Sequence, residues 1–272
     1  MTDGATDRAV DVQTVAPALR LRRVGRRFGG LHAVREVDLD VVPGERRAIL
    51  GPNGAGKTTL FNVVAGDMPA TSGRIEIFGS DVSKEPARRR AWLGLARTYQ
   101  QSRLFNGLSV EDNIYLAVIG VGKGHRRPIV LPRKDAQFRA TAREAARRVA
   151  IDSKLNELVG SLSHGEHRQV AIAMALAAKP RLLMLDEPAS GLSRGERQLL
   201  TELLLGLDRG ITLILIEHDM DIALRVAERV TMMYEGRVIA EGTPTEIRGD
   251  QLVHDLYLGS RFTEEDGQEG HG

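Results

Sequence analysis

The chain has 272 residues, 42% hydrophobic and 27% charged, enough for one large domain, or one domain with an inserted lobe, around a sizeable core. A formal net charge of +2 gives no general pull toward nucleic acid, and aromatics at 4% leave no aromatic-studded basic surface for single strands. With no cysteine, disulfides, thiolate metal sites and thiol catalysis are excluded.

In chain order, residues 1–18 are polar and small and read as a disordered leader. Asp3, Asp7 and Asp11, with no apolar core, distinguish it from a signal peptide. β-type runs follow at Leu19–Val24, Val37–Val42 and Arg46–Leu50, then at Arg74–Phe78 after a turn at Gly73. Their short connections predict an antiparallel sheet. Leu95–Tyr99 is a further strand-like run. Residues 108–178 change to helical patterning and contain a basic tract: residues 122–148 hold nine Lys or Arg against Asp135 and Glu144. Such a tract is either a solvated helix face and loop, or a contact for acidic lipid headgroups or a partner.

Strand and helix then alternate. Arg181–Leu185 reads as a buried strand, Gly195–Leu207 as a helix, Ile211–Ile216 as a strand, Met220–Ala227 as a helix and Val230–Tyr234 as a strand. Glu235-Gly236 turns the chain into Arg237–Glu241. This alternation implies a mostly parallel sheet covered on both faces, beside the antiparallel one. The tail from Thr263 is acidic and glycine-rich and is expected to be loose. The longest uncharged apolar run, Ala171 to Ala178, falls far short of the roughly 20 residues that span a bilayer. The chain is therefore expected in the cytosol unless a partner holds it at a membrane.

The most specific motif lies between Arg46–Leu50 and the helix-like stretch Lys57–Ala65. It reads Gly51-Pro52-Asn53-Gly54-Ala55-Gly56-Lys57-Thr58, followed by Thr59, a complete phosphate-binding loop in its strand–loop–helix setting. Glycines let backbone N–H groups turn inward around a phosphate, and the helix start adds its positive end. Lys57 supplies a point charge for the β- and γ-phosphates, and the Thr58 hydroxyl is a natural Mg²⁺ ligand. The expected ligands are ATP and Mg²⁺.

The run Leu182-Leu183-Met184-Leu185-Asp186-Glu187 ends an apolar strand in two adjacent carboxylates that should point different ways. Asp186 is placed to hold Mg²⁺, directly or through water, and Glu187 to polarise or deprotonate the attacking water. His218 follows the strand Ile211–Ile216; it is either a surface or capping residue or a donor to the γ-phosphate. Gln100, after Leu95–Tyr99, could reach metal and water. Phe28, in Arg27-Phe28-Gly29-Gly30, could stack on a purine.

Leu162-Ser163-His164-Gly165-Glu166 completes a set. With the phosphate loop, Gln100, Asp186-Glu187 and His218 in that order and spacing, the chain resembles the ATPase subunits of ABC transporters from about Leu19 to Phe262. The resemblance implies an α/β fold: a P-loop ABC ATPase with a RecA-like parallel sheet core and an antiparallel β subdomain (residues 19–100 and 180–262), and an inserted α-helical subdomain (101–179) carrying the signature. It also implies that Ser163, Gly165 and Glu166 bind the γ-phosphate of an ATP held by a facing second ATP-binding subunit, and that Gln100 lines the groove receiving a helix of the membrane permease. His164 and Glu166 stand where the commonest signature has Gly and Gln. Ser193 in Gly191-Leu192-Ser193 stands where the family's D-loop carries Asp, so it can hydrogen-bond but brings no charge.

Arg27-Phe28-Gly29-Gly30-Leu31, Arg97-Thr98-Tyr99-Gln100, Arg103-Leu104-Phe105, Ile216-Glu217-His218-Asp219-Met220 and Glu241-Gly242-Thr243-Pro244 resemble one branch, the ATPases of branched-chain (hydrophobic) amino acid importers. That implies permease subunits, an external solute-binding protein, a peripheral position on the cytoplasmic face of the inner membrane, and no nucleic acid. Importers of urea and short amides share the dialect. The ATPase of lipopolysaccharide export has a tail similar to Leu256–Gly259, and a soluble ABC ATPase acting on DNA or ribosomes is a third reading; those usually carry a coiled-coil insertion or a second cassette, which this chain lacks.

Overall fold

The computed structural model describes residues 16–99, 104–120, 132–251 and 253. Strands β1 (Leu19–Phe28) and β2 (Leu31–Val41) form an antiparallel hairpin turning at Gly29-Gly30. β3 (Arg46–Leu50) leads through the glycine-rich loop into α1 (Lys57–Ala65). β4 (Ser72–Ile77) and the short β5 (Ser80–Asp81) complete a four-stranded antiparallel sheet in the order β2-β1-β4-β5. After α2 (Ala87–Trp92) and β6 (Leu95–Arg97) come the helices α3 (Val110–Gly120), α4 (Pro132–Arg148) and α5 (His164–Ala177). The chain then alternates through β7 (Leu182–Asp186), α6 (Arg194–Leu205), β8 (Thr212–Ile216), α7 (Met220–Val226), β9 (Arg229–Tyr234), β10 (Arg237–Gly242) and α8 (Pro244–Gly249). The second sheet runs β10-β9-β3-β8-β7-β6 and is parallel except for the β9–β10 hairpin.

This sheet is buried on both faces, and its side chains divide with period two. Leu182 and Met184 of β7, with Ile214 and Ile216 of β8, pack toward α1 and the antiparallel sheet. Leu183 and Leu185, with Leu213 and Leu215, pack toward α5, α6 and α7. Central strands of this kind carry continuous apolar runs rather than alternation; truncating one such leucine to alanine costs about 2–5 kcal/mol. The sheet therefore supplies a rigid base, and β3, β7 and β8 present the loops after their C-terminal ends side by side.

Two expectations need correction. The leader does not extend to residue 18: Ala18 is buried, donates to the Val41 carbonyl at 2.8 Å and accepts from the Phe78 N–H at 3.1 Å; residues 1–15 lie outside the described residues, as does the tail from Thr263. The first hairpin is longer than its apolar runs. β1 continues past Val24 to Phe28, and β2 starts at Leu31 rather than Val37. Register shifts near Val24, with Arg23 and Glu36 in the left-handed region, break the two-residue period that marks a strand in sequence.

Within the described part of the basic tract, the charges of α4 are largely paired. Arg139 reaches Asp112 and Asp135 at 3.3 and 3.4 Å, Arg143 reaches Glu111 at 3.0 Å, and Arg147 reaches Glu144 at 2.6 Å. The helix thus carries a solvated ladder of ion pairs to α3; residues 122–131 lie outside the described residues.

Candidate active site

α1 begins at Lys57 with Gly56 as its N-cap. Gly56 takes φ of 98°, makes no side-chain cap, and is followed by no acid in the first turn. A Cβ at Gly56 would overlap the Ala33 carbonyl oxygen, so the loop is pressed against β2 where only glycine fits. The first-turn N–H groups are left for an anion. Lys57 is buried; its Nζ donates to the Gly51 and Pro52 carbonyls at 2.6 and 3.0 Å, spanning the loop. Burial pulls its pKa down, while Glu187 and Asp186 oppose that shift. At the other end of α1 the fully buried Arg90 donates to the Val63 and Val64 carbonyls, each at 2.7 Å, so a cation closes the negative end of the helix.

A cavity of about 590 Å³ opens over this helix start. Asn53, Gly54, Ala55, Gly56, Lys57, Thr58 and Thr59 form its floor, Phe28 stands at one wall, and Glu187 reaches it from β7. Phe28 is 42% exposed, with Arg26 over its ring at 4.5 Å, a flat apolar face beside the phosphate seat. Glu187 takes φ of 46°, strained for a residue with a Cβ, and its N–H is tied to the Ile216 carbonyl at 3.0 Å. The backbone thus turns Glu187 away from the strand that buries Asp186.

Asp186 lies deep at the end of β7, its side chain 2% exposed. Arg97 approaches its Oδ2 at 3.5 Å, and its Oδ1 is buried with no hydrogen-bond partner. Burial pushes its pKa up, against the pull of Arg97. Among the described residues no group of three or more His, Cys, Asp or Glu could hold a metal. The Thr58 hydroxyl and the unpartnered Asp186 oxygen do fit Mg²⁺, which takes few protein ligands and completes its shell with substrate phosphates and water.

Not every expected residue meets at this cavity. His218 is exposed and does not line it; its Nδ1 stands 3.9 Å from Glu217. Gln100 lies outside the described residues. Ser163, Gly165 and Glu166 line a different groove, of about 490 Å³, between α5 and α6. There Ser163 caps α5: its Oγ accepts from the Glu166 N–H at 3.3 Å, and Glu166 accepts from the Ser163 N–H at 2.8 Å. Lys154 sits 2.8 Å from Glu166 and, with the Ser163 bonds, holds its carboxyl below the usual range. Gly165 packs so closely on Glu196 of α6 that a Cβ would overlap that carboxylate, which in turn forms a capping box with Ser193.

Sequence reasoning passed over three buried charged groups here. Glu217 is fully buried; Oε1 accepts from the Ala189 N–H at 2.8 Å, Oε2 has no hydrogen-bond partner, and burial raises its pKa. Arg168 of α5 donates to the Tyr99 carbonyl at 3.2 Å, and burial lowers its pKa. Arg97 is the third. The only available signal was a charged side chain within an otherwise apolar strand or helix face.

A strained carboxylate beside an uncapped, lysine-bearing helix start is the equipment of a P-loop ATPase. The family model described as "ABC transporter" matches residues 34–190, and the one described as "Branched-chain amino acid ATP-binding cassette transporter" matches residues 237–263. The high-affinity branched-chain amino acid transport ATP-binding protein LivG of Escherichia coli (strain K12) is 34% identical over 250 residues, covering 89% of this chain and 98% of LivG. The lipopolysaccharide export system ATP-binding protein LptB of the same strain is 35% identical over 245 residues, 90% of this chain and 98% of LptB. The ADP conformation of MJ1267, an ATP-binding cassette of an ABC transporter, superposes with a TM-score of 0.76 at 27% identity, over 89% of this chain and 99% of that one.

The chain belongs to the ABC transporter family of ATP-binding subunits and is an ATPase with that family's α/β fold. Within the family it is of the branched-chain amino acid type.

Proposed function

We propose that this ATPase powers an importer of branched-chain amino acids or of a related small solute, working peripherally at the cytoplasmic face of the inner membrane. The match of residues 237–263 to the branched-chain cassette carries the substrate class. Among the described residues no helix is long and apolar enough to cross a membrane, so membrane-embedded permease subunits would form the path and an external binding protein would deliver the solute. The exposed Phe105 and Leu108, which follow the Gln100 segment, and Leu158, which the Ser109–Leu158 bridge brings to the same stretch, offer the permease an apolar seat.

The two half-sites, lined by separate sets of residues, support a paired arrangement. The triphosphate of ATP lies on α1, held by Lys57 and the loop N–H groups, with its base against Phe28. A second ATP-binding subunit, identical or related, brings its Ser163 and Gly165 to the γ-phosphate, with Glu166 setting the charge at that helix start. Thr58 and Asp186, with Gln100, would hold Mg²⁺, which would supply positive charge to neutralise the phosphates. Glu187 takes the proton of the attacking water, and His218, which does not line the cavity of the single chain, would donate to the γ-phosphate once the pair has closed. Loss of the bridging phosphate lets the pair reopen.

The test is uptake of labelled leucine, isoleucine and valine in the host, with Glu187→Gln as the sole copy. Loss of this uptake with an intact envelope is the expected result. Normal uptake with envelope defects would instead support lipopolysaccharide export, the reading that the likeness to LptB favours.

A further inference from the structure

Arg97 is a charged residue at the end of β6, the edge strand of the parallel sheet, yet its side chain is only 7% exposed. Its guanidinium is fully engaged. Nη1 donates to Asn62 Oδ1 at 2.8 Å and to Asp67 Oδ2 at 2.7 Å, both at the C-terminal end of α1. Nη2 faces Asp186 Oδ2 at 3.5 Å, and the plane lies 4.3 Å from the Tyr99 ring. One side chain therefore joins the phosphate-loop helix, the strand leading to Gln100 and the strand ending in the metal-binding carboxylate.

The two oxygens of Asp186 are treated differently. Oδ2 faces the guanidinium, while Oδ1 is buried without a partner. Among the described residues Asp186 has no other ion pair within 4.0 Å. A buried carboxylate rotates about its last torsion unless something holds one oxygen, and metal-ligating carboxylates are commonly held by such a second group. We propose that Arg97 is a positioning residue for Mg²⁺ binding: it fixes Asp186 through Oδ2, referenced to α1 through Asn62 and Asp67, so that Oδ1 stays free for the cation. This rests on the assignment of Asp186 to the metal.

The test uses the full chain carrying Glu187→Gln to block turnover, and titrates the fluorescent nucleotide mant-ATP with Mg²⁺ or with EDTA. The quantity read is the ratio of the two dissociation constants. Arg97→Met is expected to leave the EDTA value unchanged and to weaken binding in Mg²⁺ by about tenfold, the usual scale for removing a group that orients a metal ligand. Arg97→Lys, which keeps the charge, restores most of the ratio, and Asp67→Asn, which weakens one of the two anchors and leaves Asn62 in place, leaves it near the parent value.

An unchanged ratio in Arg97→Met overturns the proposal, even where both dissociation constants rise together, because Arg97 would then serve α1 alone. Asp186→Asn separates the two layers. If it keeps the ratio, the metal assignment falls and the proposal with it; if it loses the ratio while Arg97→Met keeps it, only the proposal falls. Thermal unfolding without nucleotide checks each fold. Should Arg97→Met fail to fold, Arg97→Gln, which keeps a donor for Asn62, is read against the same ratio.

Discussion

Two helix N-termini face the chemistry of this chain, and they are finished in opposite ways. At α1 the cap is a glycine with a left-handed φ, no side chain caps the first-turn N–H groups, and the first turn itself carries no acid. At α5 Ser163 and Glu166 form a reciprocal capping box, and Lys154 clamps the Glu166 carboxylate from outside. Both ends carry the same partial positive charge from the aligned peptide dipoles. The difference lies in who claims the donors. α1 leaves them open and adds a buried lysine, so it can seat a triphosphate unaided; α5 has satisfied part of its donors within the chain, so its hold on an anion is weaker and suits a phosphate already bound elsewhere.

The comparison breaks first at the chemistry. Glu187→Gln is expected to cut kcat by about 10²–10⁴-fold, the usual contribution of a positioned general base, while ATP binding persists. Single-turnover hydrolysis beside equilibrium binding checks it, and turnover near the parent rate would sink the role of Glu187. Next comes the open terminus itself. Gly56→Ala forces a Cβ into the Ala33 carbonyl at a left-handed φ. That strain is worth about 1–3 kcal/mol, so the loop shifts and ATP affinity falls by about tenfold or more. Unchanged affinity would mean that the α1 start is not the phosphate seat.

How far the sequence alone could see follows the same division. The α1 terminus was legible because glycine, lysine and threonine at fixed spacing have few other uses, and β7 and β8 were legible because buried parallel strands carry unbroken apolar runs. Asp186 and Glu187 were read as neighbours pointing apart; Asp186 is buried at the end of β7 while Glu187 lines the cavity, and the left-handed turn at Glu187 left no mark in residue type. The hairpin of β1 and β2 was half hidden because bulges at Arg23 and Glu36 interrupt its alternation. Arg97, Arg168 and Glu217 were invisible as a group, since they lie far apart in sequence and only the packing of β6, α5 and β8 brings them near the carboxylates. Glu166 was readable as part of the signature, but its engagement with Ser163 and Lys154 depends on a side-chain direction that spacing does not show.

The satisfied terminus yields smaller effects. Ser163→Ala removes the side-chain cap of α5 and is expected to cost about 1 kcal/mol of stability, read by denaturant unfolding, with ATP binding to α1 unchanged. Hydrolysis should fall further than that stability loss explains if, as proposed, the same hydroxyl faces the partner's phosphate; equal losses in both would leave Ser163 a cap and nothing more.

Glu166→Gln sharpens the comparison most finely, since it alters only charge. Lys154 and the Ser163 N–H hold the Glu166 carboxyl below its ordinary range, so its contribution is present above the unfolded-state value and is lost as pH falls through the depressed one. Gln keeps an acceptor for the Ser163 N–H but loses the ion pair, so the variant should be less stable by about 0.5 kcal/mol at neutral pH, the scale of a partly exposed pair. The deficit should vanish in acid, where Glu166 itself is protonated. Yet Gln also removes a negative charge from a helix start that must meet a phosphate, so hydrolysis at limiting ATP should rise while stability falls. Opposite signs in the two measurements are what a terminus built to be half satisfied predicts; a parallel fall would show that the carboxylate serves the phosphate as well as the cap.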